Sequence, residues 1–342
     1  MSDLRSGDVT RRARLLFVHA HPDDETLTTG LTMAGYASRH HDVHLLTCTL
    51  GEEGEVIPPE LAHLVADRDD ALGPWRREEL RAAMSVLGVA HSVLGEDPRS
   101  GVASRYRDSG MAGTPSAGHP DAFVRADPGE AAAMVAAHVR AVRPDVVVTY
   151  DEQGGYAHPD HIQTHRVTML ALSMLAAEAE AEGVAGPSVF CILTPASWAA
   201  QDREWLRDNV LPDGSNCIVP QQDEPYPPSV VPDAMVTHVV EEPTVVGMQS
   251  RALAEHATQV VVHDGYYTLS NHIVSRLSGR EGFAQFDPVA GRLIPVTPGA
   301  PPHRGLFDRL LDGPFDGPFD GPLAGMPAGL PRVLPDHSEG HR

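Results

Sequence analysis

Two short apolar segments constrain this chain most, because each ends in a cluster of histidines and acidic residues. The first is RLLFVHA at residues 14–20, which is followed by HPDDE at residues 21–25. The second is DVVVTYD at residues 145–151, which is followed by EQGGYAHPDH. Near-continuous Val, Leu and Ile runs of this length are typical of strands buried on both faces of a parallel sheet. The pattern predicts an α/β protein with polar groups at the carboxyl ends of two strands.

Helical and strand patterns alternate along the first half of the chain. Apolar residues recur at helical spacing after Pro22 and again in WRREELRAAMSVLG at residues 75–88, which ends in a glycine. A β-rich run lies at residues 42–51, and a long Ala-rich helix is expected from about residue 159 to residue 182. We therefore predict a largely parallel sheet flanked by helices, with residues 13–182 as an α/β metal-site catalytic core.

The remainder of the chain is less regular. We predict that residues 183–290 form a smaller C-terminal elaboration that completes the site. Residues 291–342 contain the repeat DGPFDGPFDGP and are rich in Gly and Pro, so we predict a disordered tail. Residues 96–128 form a long aperiodic loop, and loops of this length inside a compact domain are usually functional.

Charge and composition exclude several classes of protein. A formal net charge of -21 over 342 residues disfavours nucleic-acid binding and fits a small neutral or cationic substrate. No run approaches the roughly 20 apolar residues that cross a bilayer, and the N-terminus lacks a signal-like apolar stretch. We therefore expect a cytoplasmic protein that does not associate with a membrane and has no obligatory protein partner. The 3 cysteines are scattered, which argues against a disulfide framework, and the absence of lysine excludes a Schiff-base or P-loop lysine.

The first cluster, residues 21–25, places two carboxylates side by side. Adjacent side chains diverge, so Asp23 and Asp24 do not easily both point at one metal ion. The simplest arrangement is that one of the two carboxylates binds the metal ion and the other acts as a base. Alternatively, both residues cap the following helix, which Asp does well.

The second cluster adds two histidines, His158 and His161, which are three residues apart at the start of a helix. The glycines before them allow a close approach of the backbone to a ligand. Neighbouring strands would bring the two clusters together, giving a His, Asp and His set that suits Zn²⁺ with an open fourth position. The same nitrogen and oxygen ligands accept Fe²⁺.

Several motifs together resemble those of the PIG-L/LmbE-type zinc deacetylases, over most of residues 13–270. AHPDDE and GGYAHPDH carry the resemblance to the family. TCTLGEEGEVI at residues 47–57 and RYRDSGMAGT at residues 105–114 resemble the branch that removes acetate from N-acetylglucosaminyl-inositol in mycothiol biosynthesis. The resemblance implies a Rossmann-like fold, a small amino-sugar substrate and a zinc-dependent N-deacetylase, which hydrolyses a linear amide.

Carried over residue by residue, the resemblance implies zinc ligands at His21, Asp24 and His161, with one zinc ion per subunit. It also implies that Asp23 is the general base. Chemistry supports this assignment, because zinc lowers the pKa of its water to about 7 and a nearby carboxylate can take the remaining proton.

Other positions resemble groups that act around the metal. Tyr156 and His158 look like the family's residues that polarise the substrate carbonyl, and His158 is alternatively the proton donor to the leaving amine. Asp160 is expected to orient a histidine or to cap a helix. The candidates for substrate contacts are Glu55, Arg76, Asp108 and Met111. Alternatively, the three charged residues form ordinary surface salt bridges.

Two alternatives compete with the deacetylase interpretation. Mycothiol S-conjugate amidases share both metal motifs, but they typically carry a lysine shortly after the first motif, where this chain has Thr28. A non-catalytic sugar-binding module would be expected to lack the base or a ligand, and this chain retains them. The sequence therefore favours the deacetylase.

Overall fold

The structure is a computed structural model that describes residues 12–183, 185–210, 216–295 and 299–307. Its strands are β1 (Arg14–His19), β2 (Asp42–Thr47), β3 (Ala90–Val93), β4 (Val146–Thr149), β5 (Ser188–Ile192), β6 (Thr194–Pro195), β7 (Val230–Val231), β8 (His238–Glu241), β9 (Val261–Val262), β10 (Tyr266–Thr268), β11 (Val274–Arg276), β12 (Arg280–Asp287), β13 (Arg292–Leu293) and β14 (His303–Arg304). Its α-helices are α1 (Asp24–Ser38), α2 (Leu72–Leu87), α3 (Pro128–Val142), α4 (Gly154–Ala157), α5 (Pro159–Glu182), α6 (Ala196–Asn209) and α7 (Val246–Glu255).

A mostly parallel sheet forms the centre of the molecule, which confirms the predicted fold class. Its parallel part runs in the order β5-β4-β1-β2-β3, so the chain proceeds outward in one direction from β1 through β2 and in the other from β4. The crevice between the carboxyl ends of β1 and β4 is therefore the topological switch point. In open α/β sheets this is where ligands bind.

The strands are apolar along their whole length because both faces of the sheet are covered. Leu15 and Phe17 of β1 pack into a buried cluster with side chains of α1, α2 and α7. Leu16 and Val18 point to the opposite face and pack with α3 and α5. Successive strand residues face opposite sides, so burial on both sides gives an unbroken apolar run instead of alternation.

The C-terminal half of the chain extends this same sheet. β12 pairs antiparallel with β5 and with β8, and two smaller sheets are formed by β9–β11 and by β6 with β7. The predicted division at residue 182 falls inside the sheet, because β5 follows it directly and lies between β4 and β12.

Part of the segment from residue 291 onward, for which the composition predicts disorder, forms short strands. β13 pairs with β12, and β14 pairs with β8. Leu306 is buried, and its N–H donates to the Tyr36 hydroxyl at 2.7 Å. Burial of one apolar side chain and two short pairings order these residues although their composition is poor in apolar groups. The DGPFDGP repeat lies outside the described residues.

The long loop at residues 96–128 contains only short local structure. It includes two 3₁₀ turns and two isolated β-bridges, and its residue Phe123 is fully buried. Among the helices of the described ranges, none combines the length and apolar character needed to cross a bilayer.

Candidate active site

The two His/Asp clusters meet at the switch point. Residues 20–23 connect β1 to α1, and residues 150–158 connect β4 to α5. β1 and β4 are neighbouring parallel strands, with Leu16 beside Val147. Their connections therefore leave the sheet at the same edge, as the sequence predicted.

Three side-chain atoms converge at this edge. His21 Nδ1 lies 3.2 Å from Asp24 Oδ2, His161 Nε2 lies 3.1 Å from the same oxygen, and the two nitrogens are 3.3 Å apart. Bonds of about 2.1 Å at tetrahedral angles hold zinc ligands about 3.4 Å apart, which is close to these separations. All three side chains are buried.

The outer partners of the two histidines fix which nitrogens carry lone pairs. His161 Nδ1 faces the Gly154 carbonyl oxygen at 3.2 Å, so the proton belongs on Nδ1. His21 Nε2 faces Asp160 at 3.3 Å and Asp108 at 3.4 Å, so its proton belongs on Nε2. The remaining lone pairs then face each other and a carboxylate oxygen. Three electron-pair donors in this arrangement repel one another unless a cation lies between them, so the residues fit a divalent metal ion.

The electrostatics of the cluster favour added positive charge. Burial lowers the pKa of His21, but Asp108, Asp160 and Asp24 outweigh it and raise this pKa well above its ordinary value. Burial raises the pKa of Asp24, but His161 and His21 hold it well below the usual range. Ligand-capable nitrogens of His21, His158 and His161 lie within 4.8 Å of one another.

Asp23 has a different environment from the adjacent Asp24. Its side chain makes no capping hydrogen bond to helix α1, so the helix-capping alternative does not describe it. Asp23 Oδ2 instead lies 3.2 Å from Arg76 Nη2. Burial raises the pKa of Asp23 to about 7, although Arg76 opposes this shift. A carboxylate with this pKa is suited to exchange protons near neutral pH.

The loop before α5 is shaped by residues with positive φ. Gly154, Gly155 and Ala157 have φ values of 64°, 75° and 70°. A Cβ on Gly154 would lie 2.7 Å from His161 Cβ and 2.7 Å from the Ile162 nitrogen, so glycine is required there. This close approach is what places the Gly154 carbonyl against the ring of His161.

His158 caps helix α5 with its own side chain. Its Nδ1 accepts a hydrogen bond from the Asp160 N–H at 3.1 Å. Burial, together with His21 and His161, lowers the pKa of His158 to about 3. The ring is therefore neutral at physiological pH, and since Nδ1 is an acceptor, its proton lies on Nε2.

Tyr156 lies at the rim of the cluster. Its ring centroid is 4.9 Å from that of His161 and 5.9 Å from that of His158. The residue is 51% exposed, so part of its side chain faces the space outside the cluster. Both Tyr156 and His158 thus adjoin the three converging atoms.

The four predicted substrate contacts divide into two groups. Arg76 and Asp108 are buried beside the cluster and already have protein partners: Arg76 donates to the Gly51 carbonyl at 2.8 Å, and Asp108 accepts from the Gly110 N–H at 2.8 Å. Glu55 and Met111 are exposed. A role in recognition stays a prediction for all four residues.

Three further residues of the site were not singled out from the sequence. The Tyr150 ring stacks on His161 with a centroid distance of 4.3 Å, and its hydroxyl accepts the Ala20 N–H at 3.0 Å. Glu25 and His256 form a buried pair, with 3.0 Å between Oε1 and Nε2. Glu25 has a signal in the sequence, the fifth position of HPDDE, whereas His256 lies in a segment with no motif.

Comparisons with known proteins show the family to which this chain belongs. Residues 16–172 match the family model PIG-L, GlcNAc-PI de-N-acetylase. A 1D-myo-inositol 2-acetamido-2-deoxy-alpha-D-glucopyranoside deacetylase from Thermomonospora curvata is 44% identical, covering 82% of this chain and 93% of that protein. The protein of the same name from Rhodococcus opacus is 47% identical, covering 79% and 90%. The chain therefore belongs to the GlcNAc-PI de-N-acetylase (PIG-L) family.

Proposed function

We propose that this chain is a metal-dependent amide hydrolase that removes the acetyl group from 1D-myo-inositol 2-acetamido-2-deoxy-α-D-glucopyranoside. The products are acetate and the glucosaminyl-inositol amine, a step of mycothiol biosynthesis. The observation that carries the proposal is the convergence of two imidazole nitrogens and a carboxylate oxygen beside a second buried carboxylate. The names of the relatives that cover most of the chain support the substrate.

We assign Zn²⁺ as the resident metal, held by His21 Nδ1, Asp24 Oδ2 and His161 Nε2. Two nitrogens and one oxygen at tetrahedral spacing, with a position left open, are typical ligands of catalytic zinc, and Fe²⁺ accepts the same set. When bound, the metal would lower the pKa of a water molecule and polarise the acetamide carbonyl.

Asp23 serves as the general base in this proposal. It takes a proton from the attacking water, and its pKa of about 7 allows it both to accept and to release a proton near neutral pH. Arg76 holds the carboxylate through Nη2. The proton that Asp23 receives is available for the nitrogen when the C–N bond breaks, so one water molecule balances the reaction.

His158 and Tyr156 stabilise the charge that forms on the carbonyl oxygen. The neutral His158 ring carries its proton on Nε2, and Tyr156 lies half-exposed at the rim of the cluster. Donors that are already in place cost no reorganisation when the oxygen becomes negative. With a pKa of about 3, His158 is suited to donate a hydrogen bond from its neutral form.

The test is acetate release from this substrate, measured for protein stripped of metal and then reconstituted with one equivalent of Zn²⁺. We expect turnover only in the reconstituted sample. A mycothiol S-conjugate is assayed in parallel, and faster hydrolysis of the S-conjugate would reassign the chain as an amidase. Binding of the substrate without acetate release by the reconstituted protein would instead indicate a sugar-binding module.

A further inference from the structure

We propose that Glu25 and His256 are positioning residues that hold the backbone of Asp23 in the conformation required of the base. This inference rests on the function proposed above for Asp23. Among the described residues, neither Glu25 nor His256 forms a hydrogen bond or ion pair with the three converging donor atoms.

The backbone of Asp23 is strained. Its φ is 110° and its ψ is -38°, outside the regions that residues with a side chain normally occupy. Such a conformation persists only where the surrounding structure enforces it. At the N-cap position of α1 a negative φ is the ordinary value, so the backbone hydrogen bonds of the helix do not by themselves explain this conformation.

Glu25 supplies the first restraint. Its Oε2 accepts the Asp23 N–H at 3.0 Å, which ties the backbone of the base to a side chain two residues further on. Its Oε1 accepts from the Thr26 hydroxyl at 2.6 Å and from His256 Nε2 at 3.0 Å. Both carboxylate oxygens are therefore engaged, and the side chains of Glu25 and His256 are fully buried.

His256 anchors this restraint to a distant part of the fold. It follows the last residue of α7, and Gln249 of the same helix donates to the Thr26 carbonyl at 3.0 Å. On the opposite side, Arg76 donates to the Pro22 carbonyl and approaches the Asp23 carboxylate. The Pro22 carbonyl is thus held by Arg76 of α2, and the Asp23 N–H is held by Glu25, which His256 at the end of α7 fixes in turn.

Burial explains why an acidic residue and a histidine occur here as a pair. A carboxylate buried without a cation would be costly, and so would a buried imidazolium, but together they satisfy each other. Because both side chains are fully buried, the pair can hold Asp23 without occupying space that is open to water and substrate.

The variant Glu25→Gln tests the proposal, since it keeps the shape but removes one acceptor oxygen. We expect kcat to fall by about 10- to 100-fold, as small displacements of a catalytic group do, with KM within about 2-fold and unchanged metal stoichiometry. In an Asp23→Asn background the same substitution should cause no further loss, because Glu25 acts through Asp23. A comparable additional loss in that background would mean a general structural role and would overturn the proposal.

Glu281→Gln is the matched control. Glu281 is also a buried carboxylate bound to helix α1, but it accepts the N–H groups of Leu31 and Thr32 at 2.8 and 2.9 Å, away from Asp23. We expect its kcat to stay within about 2-fold of the wild-type value. An equal loss in both variants would mean that any disturbance of α1 lowers turnover, which contradicts a specific role for Glu25.

A crystal structure of the Glu25→Gln variant tests the claim without an activity measurement. We expect φ of Asp23 to become negative, and an unchanged φ near 110° would overturn the proposal. Should this variant not fold, His256→Phe removes the donor while keeping a ring, and the same backbone change is expected. Retained turnover of Asp23→Asn would refute the proposed base, and the crystallographic result would still decide whether Glu25 holds the backbone.

Discussion

The tripeptide His-Pro-Asp occurs twice in the active site, at residues 21–23 and at residues 158–160, and it adopts two conformations. In the first copy helix α1 begins after the tripeptide, at Asp24, and Asp23 has a positive φ. In the second copy helix α5 begins inside the tripeptide, at Pro159. The same three residues therefore enter their helices two positions apart.

This difference decides what each aspartate can do. Asp160, in the first turn of a regular helix, is fully buried and faces His21 Nε2 at 3.3 Å. Asp23 is turned out of its helix and has a pKa of about 7. In both copies the next residue, Asp24 or His161, belongs to the converging donor set. In the proposed mechanism, one short motif thus supplies either a proton acceptor or an orienting carboxylate, depending on where the helix begins.

The largest effect is expected for Asp23→Asn. The variant cannot accept a proton, so kcat should fall by about 10²- to 10⁴-fold, whereas the three proposed ligands remain and metal stoichiometry should stay at one. Steady-state kinetics and elemental analysis of the purified variant measure both quantities. Loss of the metal together with turnover would make Asp23 a ligand and would remove the contrast between the two copies.

His158→Asn tests the first residue of the second copy. Asn is a good helix N-cap, so the start of α5 and the thermal midpoint should be preserved, but the Nε2 donor is lost. We expect kcat to fall by about 10²-fold with little change in KM, in the range found when an oxyanion donor is removed. A fall in the thermal midpoint with unchanged kcat would show that His158 serves only as a cap.

Asp160→Asn is the matched counterpart of the substitution at Asp23. Removing the negative charge behind His21 should weaken metal binding by about 10- to 100-fold, as for other carboxylates that support a ligating histidine. Excess metal should then restore most of the turnover. The result is measured by competition with a chelator, and an unchanged metal affinity would refute the orienting role.

The smallest effect concerns Glu281, a buried carboxylate of β12 that accepts hydrogen bonds from α1 and lacks a histidine partner like that of Glu25. Burial raises the pKa of Glu281 from 4.5 to about 7. Its contribution to stability is therefore full below pH 4.5 and is lost as pH rises through about 7. Between pH 5 and pH 8 the free energy of unfolding of Glu281→Gln should gain about 2 kcal/mol relative to wild type. Equal pH dependence of the two proteins in urea unfolding would contradict this assignment.

The sequence was sufficient to predict the parallel part of the sheet. Strands buried on both faces leave unbroken apolar runs, and the alternation with helices then indicates a parallel arrangement. The pairing of β12 with β5 and of β14 with β8 was not predicted. These pairings depend on contacts between distant segments, and β14 is only two residues long, so no local pattern reports them.

Within the site, the residues that could be predicted are those that lie in a recognisable motif. His21, Asp24 and His161 could be grouped because each belongs to a His/Asp motif that follows a buried strand, and the structure brings them together. The contact of Asp108 with His21 and that of His256 with Glu25 could not be predicted, since each partner comes from a separate region without periodicity. Tertiary packing alone decides which side chains lie around the proposed ligands.

The most direct test of the account is anomalous diffraction at the zinc absorption edge, from crystals of protein reconstituted with one equivalent of Zn²⁺. We predict a single peak about 2.1 Å from His21 Nδ1, Asp24 Oδ2 and His161 Nε2. His21 also has two carboxylates, Asp108 and Asp160, on its Nε2 side. A peak on that side, or no ordered peak in the site, would contradict the proposed metal centre.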